Sequence, residues 1–162
     1  MKMWTVSALL CAMMAVTVGA AADLHVFSKS SNCPCGWTEF QDRCYIYVSK
    51  TMTWSEAQRN CQNMKANLAS VRSFEEYTAI RGLTAVDQYG STWIGASDAQ
   101  QERYWFWADG TPFTFTYWCS YQPDHSGVGP HCLHMNFGVN KCWDDAECKA
   151  RFPSVCAKRV LA

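Results

Sequence analysis

The residues with the most chemistry in them lie between Gln122 and Asp145. Gln122-Pro123-Asp124 is followed by six residues ending in Pro130, then by His131 and Cys132, and later by Cys142-Trp143-Asp144-Asp145 and Cys148. Asp124, Asp144 and Asp145 supply negative oxygens and Gln122 a neutral one. Carboxylates and amides on two loops tied by cysteines are the donors a hard cation such as calcium takes. A proline between Gln122 and Asp124 can hold both side chains on one side of the backbone, most easily with a cis Gln122–Pro123 bond. Against this stands the plainer reading that exposed acidic loop residues are simply solvated. His131 and His134 flank Cys132 and invite a zinc reading, although a strand histidine is usually structural. No serine, histidine and aspartate grouping has the local context of a nucleophile, so enzyme activity is not expected.

These loops need positioning, and the cysteines are the first means of doing it. The chain has ten. Cys11 falls in a segment that opens with Lys2, runs apolar from Trp4 to Val18 and ends in the small residues Gly19 to Ala22. That is the form of a secretory signal peptide, residues 1–22, cut near Ala20 or Ala22. A membrane-spanning helix would need about 20 apolar residues. Export leaves nine cysteines, a density that reads as a disulfide framework. Cys33-Pro34-Cys35 is too tight a loop for an ordinary pair of zinc ligands, and no second Cys-x-x-Cys follows. Nine is odd, so one thiol is left free or bonded to another chain.

Lysines and arginines number 14, as do the acidic residues; loss of Lys2 leaves the mature chain near neutral. A nucleic-acid partner would require a clustered basic face, which is absent, and nothing points to membrane insertion. There is no Asn-x-Ser/Thr glycosylation acceptor.

The elements follow from periodicity. Residues 23–32 form a polar lead, expected to be mobile, and residues 33–160 are long enough for one domain with a core. Trp37 to Val48 is aromatic and β-branched around the turn-like Gln41-Asp42-Arg43, which predicts a hairpin. Thr53-Trp54-Ser55-Glu56 has the form of a capping box, and Trp54, Ala57, Cys61 and Met64 recur on one helical face. Leu68 to Val71 predicts a short strand, and Ser73-Phe74-Glu75-Glu76 a second capping box opening a helix that Gly82 ends. Trp93 to Gly95, Tyr104 to Trp107, Leu133 to Phe137 and Ser154 to Ala157 read as brief strands between long loops. The fold class is α+β. Most of the tryptophans are expected in the core.

Taken together, these segments resemble the C-type lectin-like family over almost the whole mature chain, Cys33 to Cys156. The resemblance rests on Cys33-Pro34-x-Gly36-Trp37, the Cys44-Tyr45-x-Tyr47 strand, Trp54 with the Cys61 helix and Leu68-Ala69-Ser70-Val71. It continues through Trp93-Ile94-Gly95, Trp105 to Asp109-Gly110, Trp143-Asp144-Asp145-x-x-Cys148 and Val155-Cys156. The pattern is most like that of fish galactose-type lectins of mucus or venom and type II antifreeze proteins. It implies a disulfide-rich fold of two helices, short antiparallel sheets and a long loop region. It also implies the bridges Cys33–Cys44, Cys61–Cys156, Cys119–Cys142 and Cys132–Cys148, with Cys35 left over as the candidate for an interchain bond in a homodimer.

In that family a Glu-Pro-Asn triplet goes with mannose-type sugars and Gln-Pro-Asp with galactose-type ones, bound through calcium. The resemblance therefore assigns Gln122, Asp124, Asp144 and Asp145 to the sugar and to the metal. Two positions depart from it: Pro130 stands where the family has a glutamate ligand, and Asp144 where it has an asparagine. Proline offers no side-chain oxygen, and Asp144 lacks the amide donor, so calcium affinity is expected to be weakened or lost. Tyr121 and His125 flank the triplet as candidates for stacking on a sugar ring. The expected function is a secreted lectin for galactose or lactose, acting in host defence. The alternatives are a type II antifreeze protein, or a venom lectin acting on blood cells or proteins.

Overall fold

The structure is a computed structural model, and it describes residues 32–160. The signal peptide expected at residues 1–22 and almost all of the lead expected at residues 23–32 lie outside the described residues. Strand β1 (Thr38–Phe40) and strand β2 (Arg43–Met52) form the expected hairpin. Helix α1 (Trp54–Asn63) starts where its capping box dictates: the Thr53 hydroxyl accepts from the Glu56 amide, and the Glu56 carboxylate accepts from the Thr53 amide. Ala57 and Cys61 are its buried face.

Strand β3 (Asn67–Leu68) is shorter than expected, and helix α2 (Phe74–Leu83) differs from its expected form at both ends. Ser73 caps the Glu76 amide, but the Glu76 carboxylate does not reach back to Ser73; it accepts from the Arg72 amide and from two arginine side chains. Gly82 does not end the helix, which runs on through Leu83 into a 3-10 turn at Thr84–Asp87.

The strands that follow are β4 (Thr92–Ser97), β5 (Phe106–Trp107), β6 (His131–Phe137), β7 (Cys142–Glu147) and β8 (Phe152–Arg159). They join in one sheet of order β1-β2-β8-β4-β6-β7, with β3 paired to β8 and β5 to β4. Separate short antiparallel sheets were expected; instead a parallel contact between β4 and β8, at Trp93 and Ser154, makes the sheet continuous. Gly95 is needed in β4 because a Cβ there would lie 2.5 Å from the Leu68 carbonyl oxygen. Strand β7 falls where a loop was expected, and it carries Asp144 and Asp145.

The core divides at the sheet. One cluster gathers Tyr45, Tyr77, Ile80, Ile94, Trp107, Leu133 and Trp143; the other joins the inner face of α1 to Trp93 and Cys156. Trp143 has no exposed surface and is ringed by Tyr77, Trp107, Phe113, Phe115 and Trp118. The loop after β5 thus has its own apolar anchors, which lets irregular chain run over the sheet.

The four bridges implied by the resemblance are present: Cys33–Cys44, Cys61–Cys156, Cys119–Cys142 and Cys132–Cys148. Cys35, expected as the leftover thiol, is disulfide-bonded as well, and among the described residues no cysteine is free.

Candidate functional site

The loop from Cys119 to Pro130 is built as a platform on β7. At its start the Cys119 amide donates to the Trp143 carbonyl and the Trp143 amide to the Tyr117 carbonyl, beside the Cys119–Cys142 bridge. At its end Cys132–Cys148 ties β6 to the end of β7. Between these points the loop's amides go to carboxylates. The Asp124 amide donates to Asp145 Oδ1 at 2.9 Å and the His125 amide to Asp145 Oδ2 at 3.1 Å. Further along, the Val128 amide donates to Glu147 Oε1 at 3.0 Å, and the His131 amide to Asp98 Oδ1 at 2.8 Å.

The Gln122–Pro123 bond is cis. Gln122 Oε1 accepts from the Asp124 amide at 2.9 Å, and Asp124 Oδ1 accepts from the Ser126 amide at 2.9 Å. Beyond these bonds Gln122 has its Nε2 amide, with two protons to donate, and Asp124 has Oδ2, with lone pairs to accept; the side chains of Ser126 and Gln122 also bond to the Asp124 carboxyl. Hydrogen bonds from Ser126 hold the Asp124 carboxyl below the usual aspartate value, so it is ionised at neutral pH. Tyr121, beside the triplet, is 97% exposed.

The aspartates of β7 behave differently. Consecutive strand residues point to opposite faces, and only Asp145 faces the loop. Asp144 pairs across to His134, whose Nε2 lies 3.4 Å from Asp144 Oδ2, while Asp144 Oδ1 is buried without a hydrogen-bond partner. Burial raises the Asp145 carboxyl above the ordinary aspartate value, and the Asp124 amide offsets this only in part. The structure thus brings Gln122, Asp124 and Asp145 together and sets Asp144 apart. His125 is turned inward: its side chain is 16% exposed, its ring stacks at 6.2 Å from Trp105, and Nδ1 faces Asp98 and Asp145.

This donor set does not fit a calcium ion. Calcium takes six to eight oxygens. The Asp145 side chain has no exposed surface, Asp144 faces the other way, and Pro130 has no side-chain oxygen. Among the described residues Asp124, Asp144 and Asp145 form no convergent cluster; the group that does converge is Asp98, His125 and His131.

Sequence reasoning missed Asp98 and Glu147, which hold the loop as firmly as Asp145 does. The available signal was Asp98 closing the run Trp93-Ile94-Gly95-Ala96-Ser97-Asp98, an acid at the end of a buried strand. Gly127 belongs with Glu147: its φ is +113°, and a Cβ there would sit 2.8 Å from the Glu147 side chain.

Residues 50–158 match the family model described as the Lectin C-type domain. The type-2 ice-structuring protein of Hemitripterus americanus is 41% identical over 165 residues, covering 96% of this chain and 98% of that protein. The lactose-binding lectin l-2 of Anguilla japonica is 35% identical over 161 residues, covering 95% of this chain and 92% of that one. A calcium-independent type II antifreeze protein of known structure superposes with a TM-score of 0.73 at 39% identity, covering 80% of this chain and 95% of that one.

Proposed function

Since the chain belongs to the Lectin C-type domain family, we propose that its work is binding rather than catalysis: it is a secreted lectin for galactose-type glycans that operates without calcium. The observation that carries this reading is the triplet's surface. Gln122 Nε2 and Asp124 Oδ2 are a donor and an acceptor carried on a pinned loop, with the ring of Tyr121 exposed next to them. Paired donors and acceptors suit sugar hydroxyls, and an aromatic face suits the apolar side of a galactose ring. Asp145 supports this surface from beneath by holding two loop amides. Lactose-binding lectin l-2 is a relative whose name states the ligand class. No helix among the described residues is long and apolar enough to cross a membrane.

A second reading, ice binding, has its own support. The ice-structuring relative is 41% identical, and a loop held by internal carboxylates needs no cation to be ordered. Two measurements separate these readings. The chain is applied to lactose-agarose and eluted first with a chelator, then with free lactose; retention through the chelator step and release by lactose are expected. Elution by chelator that added calcium reverses would overturn calcium independence. Thermal hysteresis with no retention on lactose would replace the lectin reading with the ice-binding one.

A further inference from the structure

The convergent group at the mouth of the platform is a different kind of site from the sugar surface. Asp98, at the end of β4, and His131, at the start of β6, are 3% and 5% exposed. His125 reaches them from the loop, and one donor atom from each of the three lies within 4.8 Å of the others. His125 Nδ1 is 3.4 Å from Asp98 Oδ2 and is buried with no hydrogen-bond partner. A tetrahedral zinc ion with bonds of roughly 2.0 Å sets its ligand atoms about 3.3 Å apart. The Asp98–His125 pair already stands at that spacing.

We propose that Asp98, His125 and His131 form a binding site for a borderline divalent metal ion, zinc above all. Two imidazoles and one carboxylate select such an ion over calcium, which takes oxygen ligands in greater number. The surroundings supply the outer support such a site needs. His131 Nε2 lies 3.2 Å from the Ser126 carbonyl oxygen; donating there leaves Nδ1 as the basic nitrogen. Asp98 is oriented by the amides of His131 and Arg103. The three residues open onto a cleft of about 400 Å³ bordered by Glu102, Gly127 and Pro130, so water or a fourth ligand can complete the coordination. The histidine pairing also corrects the zinc suggestion drawn from sequence. His131 and His134 do not act together, since His134 is packed against Trp93 and Phe152 and faces Asp144. The site does not depend on the sugar reading, because none of its three ligands is in the triplet.

The test uses the full secreted chain, stripped of metal and free of sugar. Zinc is titrated by calorimetry, with imidazole nitrogens followed by NMR and cobalt as a visible-spectrum probe. One zinc per chain is expected, with perturbation of the His125 and His131 rings but not of His134. Thermal unfolding should move upward with zinc concentration, and bound cobalt should show the intense absorption of a low-coordinate site. His125→Gln and His131→Gln should each weaken binding by more than tenfold while unfolding like the metal-free parent chain. Should either variant fold poorly, the ring resonances of the unsubstituted chain decide. Zinc that leaves the His125 and His131 rings unperturbed, or binds both variants as tightly as the parent, would overturn the proposal.

Discussion

The carboxylates around the loop differ in what they are free to do. Asp145 has no side-chain exposure and spends both oxygens on backbone amides, so it is a structural support. Asp145→Asn replaces one acceptor with a donor that faces an amide proton. The expected cost is about 1–3 kcal/mol, the penalty for an unsatisfied buried group, read by thermal unfolding, with faster hydrogen exchange at the amides of Asp124 and His125. Tyr121 is the opposite case. Being almost fully exposed, it contributes nothing to the core, and Tyr121→Ala should leave stability within about 0.5 kcal/mol. Retention on lactose should drop, because an aromatic face is worth about 1 kcal/mol, or roughly fivefold in affinity. Unchanged retention would remove Tyr121 from the sugar surface.

Elements explain why the loop can be long and still keep one shape. Glu147 on β7 holds the Val128 amide, which requires the chain to pass close at Gly127. Gly127→Ala adds a Cβ in a left-handed conformation against that side chain, and a destabilisation of about 1–3 kcal/mol is expected, measured by urea unfolding. The Cys132–Cys148 bridge closes a separation of 16 residues. Replacing both cysteines by alanine should cost roughly 3 kcal/mol, the loop-closure value for that length. The elements legible in the sequence were those with local signatures: the hairpin around Asp42, the two helices with Thr53 and Ser73 as caps, and the short apolar runs that form β4, β5, β6 and β8. Strand β7 was not legible because it buries Cys142, Trp143, Asp144 and Asp145 in succession, which erases the polar-apolar alternation that marks a half-buried strand. Of the candidate site, the triplet and Asp145 could be named from motif spacing. The separation of Asp144, and the arrival of Asp98 from a distant strand, depend on register and sheet order, which motif spacing does not encode.

At the scale of the whole molecule, a buried ionic network does what the bridges do for the loops. Arg43 on β2 donates to Glu76 on α2, to Ser70 and to Asp109 beyond β5; Tyr45 also donates to Glu76, and Arg72 spans Glu76 and Asp42. Glu76 is only 1% exposed. Burial pushes its carboxyl upward, but the hydrogen bonds of Arg72 and Tyr45 and the charge of Arg43 outweigh that, and it lies below the ordinary glutamate value. A carboxyl with a lower pKa folded than unfolded binds fewer protons in the native state. Its contribution is therefore complete above the unfolded value, about 4.3, and is lost as pH falls from there through the folded value. Glu76→Gln leaves Arg43 and part of Arg72 uncompensated, so at pH 7 it should cost about 3 kcal/mol. Urea unfolding from pH 7 down to pH 3 should then show the parent chain losing stability on the acid side, with the variant lower but flatter and the two curves converging. Parallel curves would mean that Glu76 is not what ties this fold to pH.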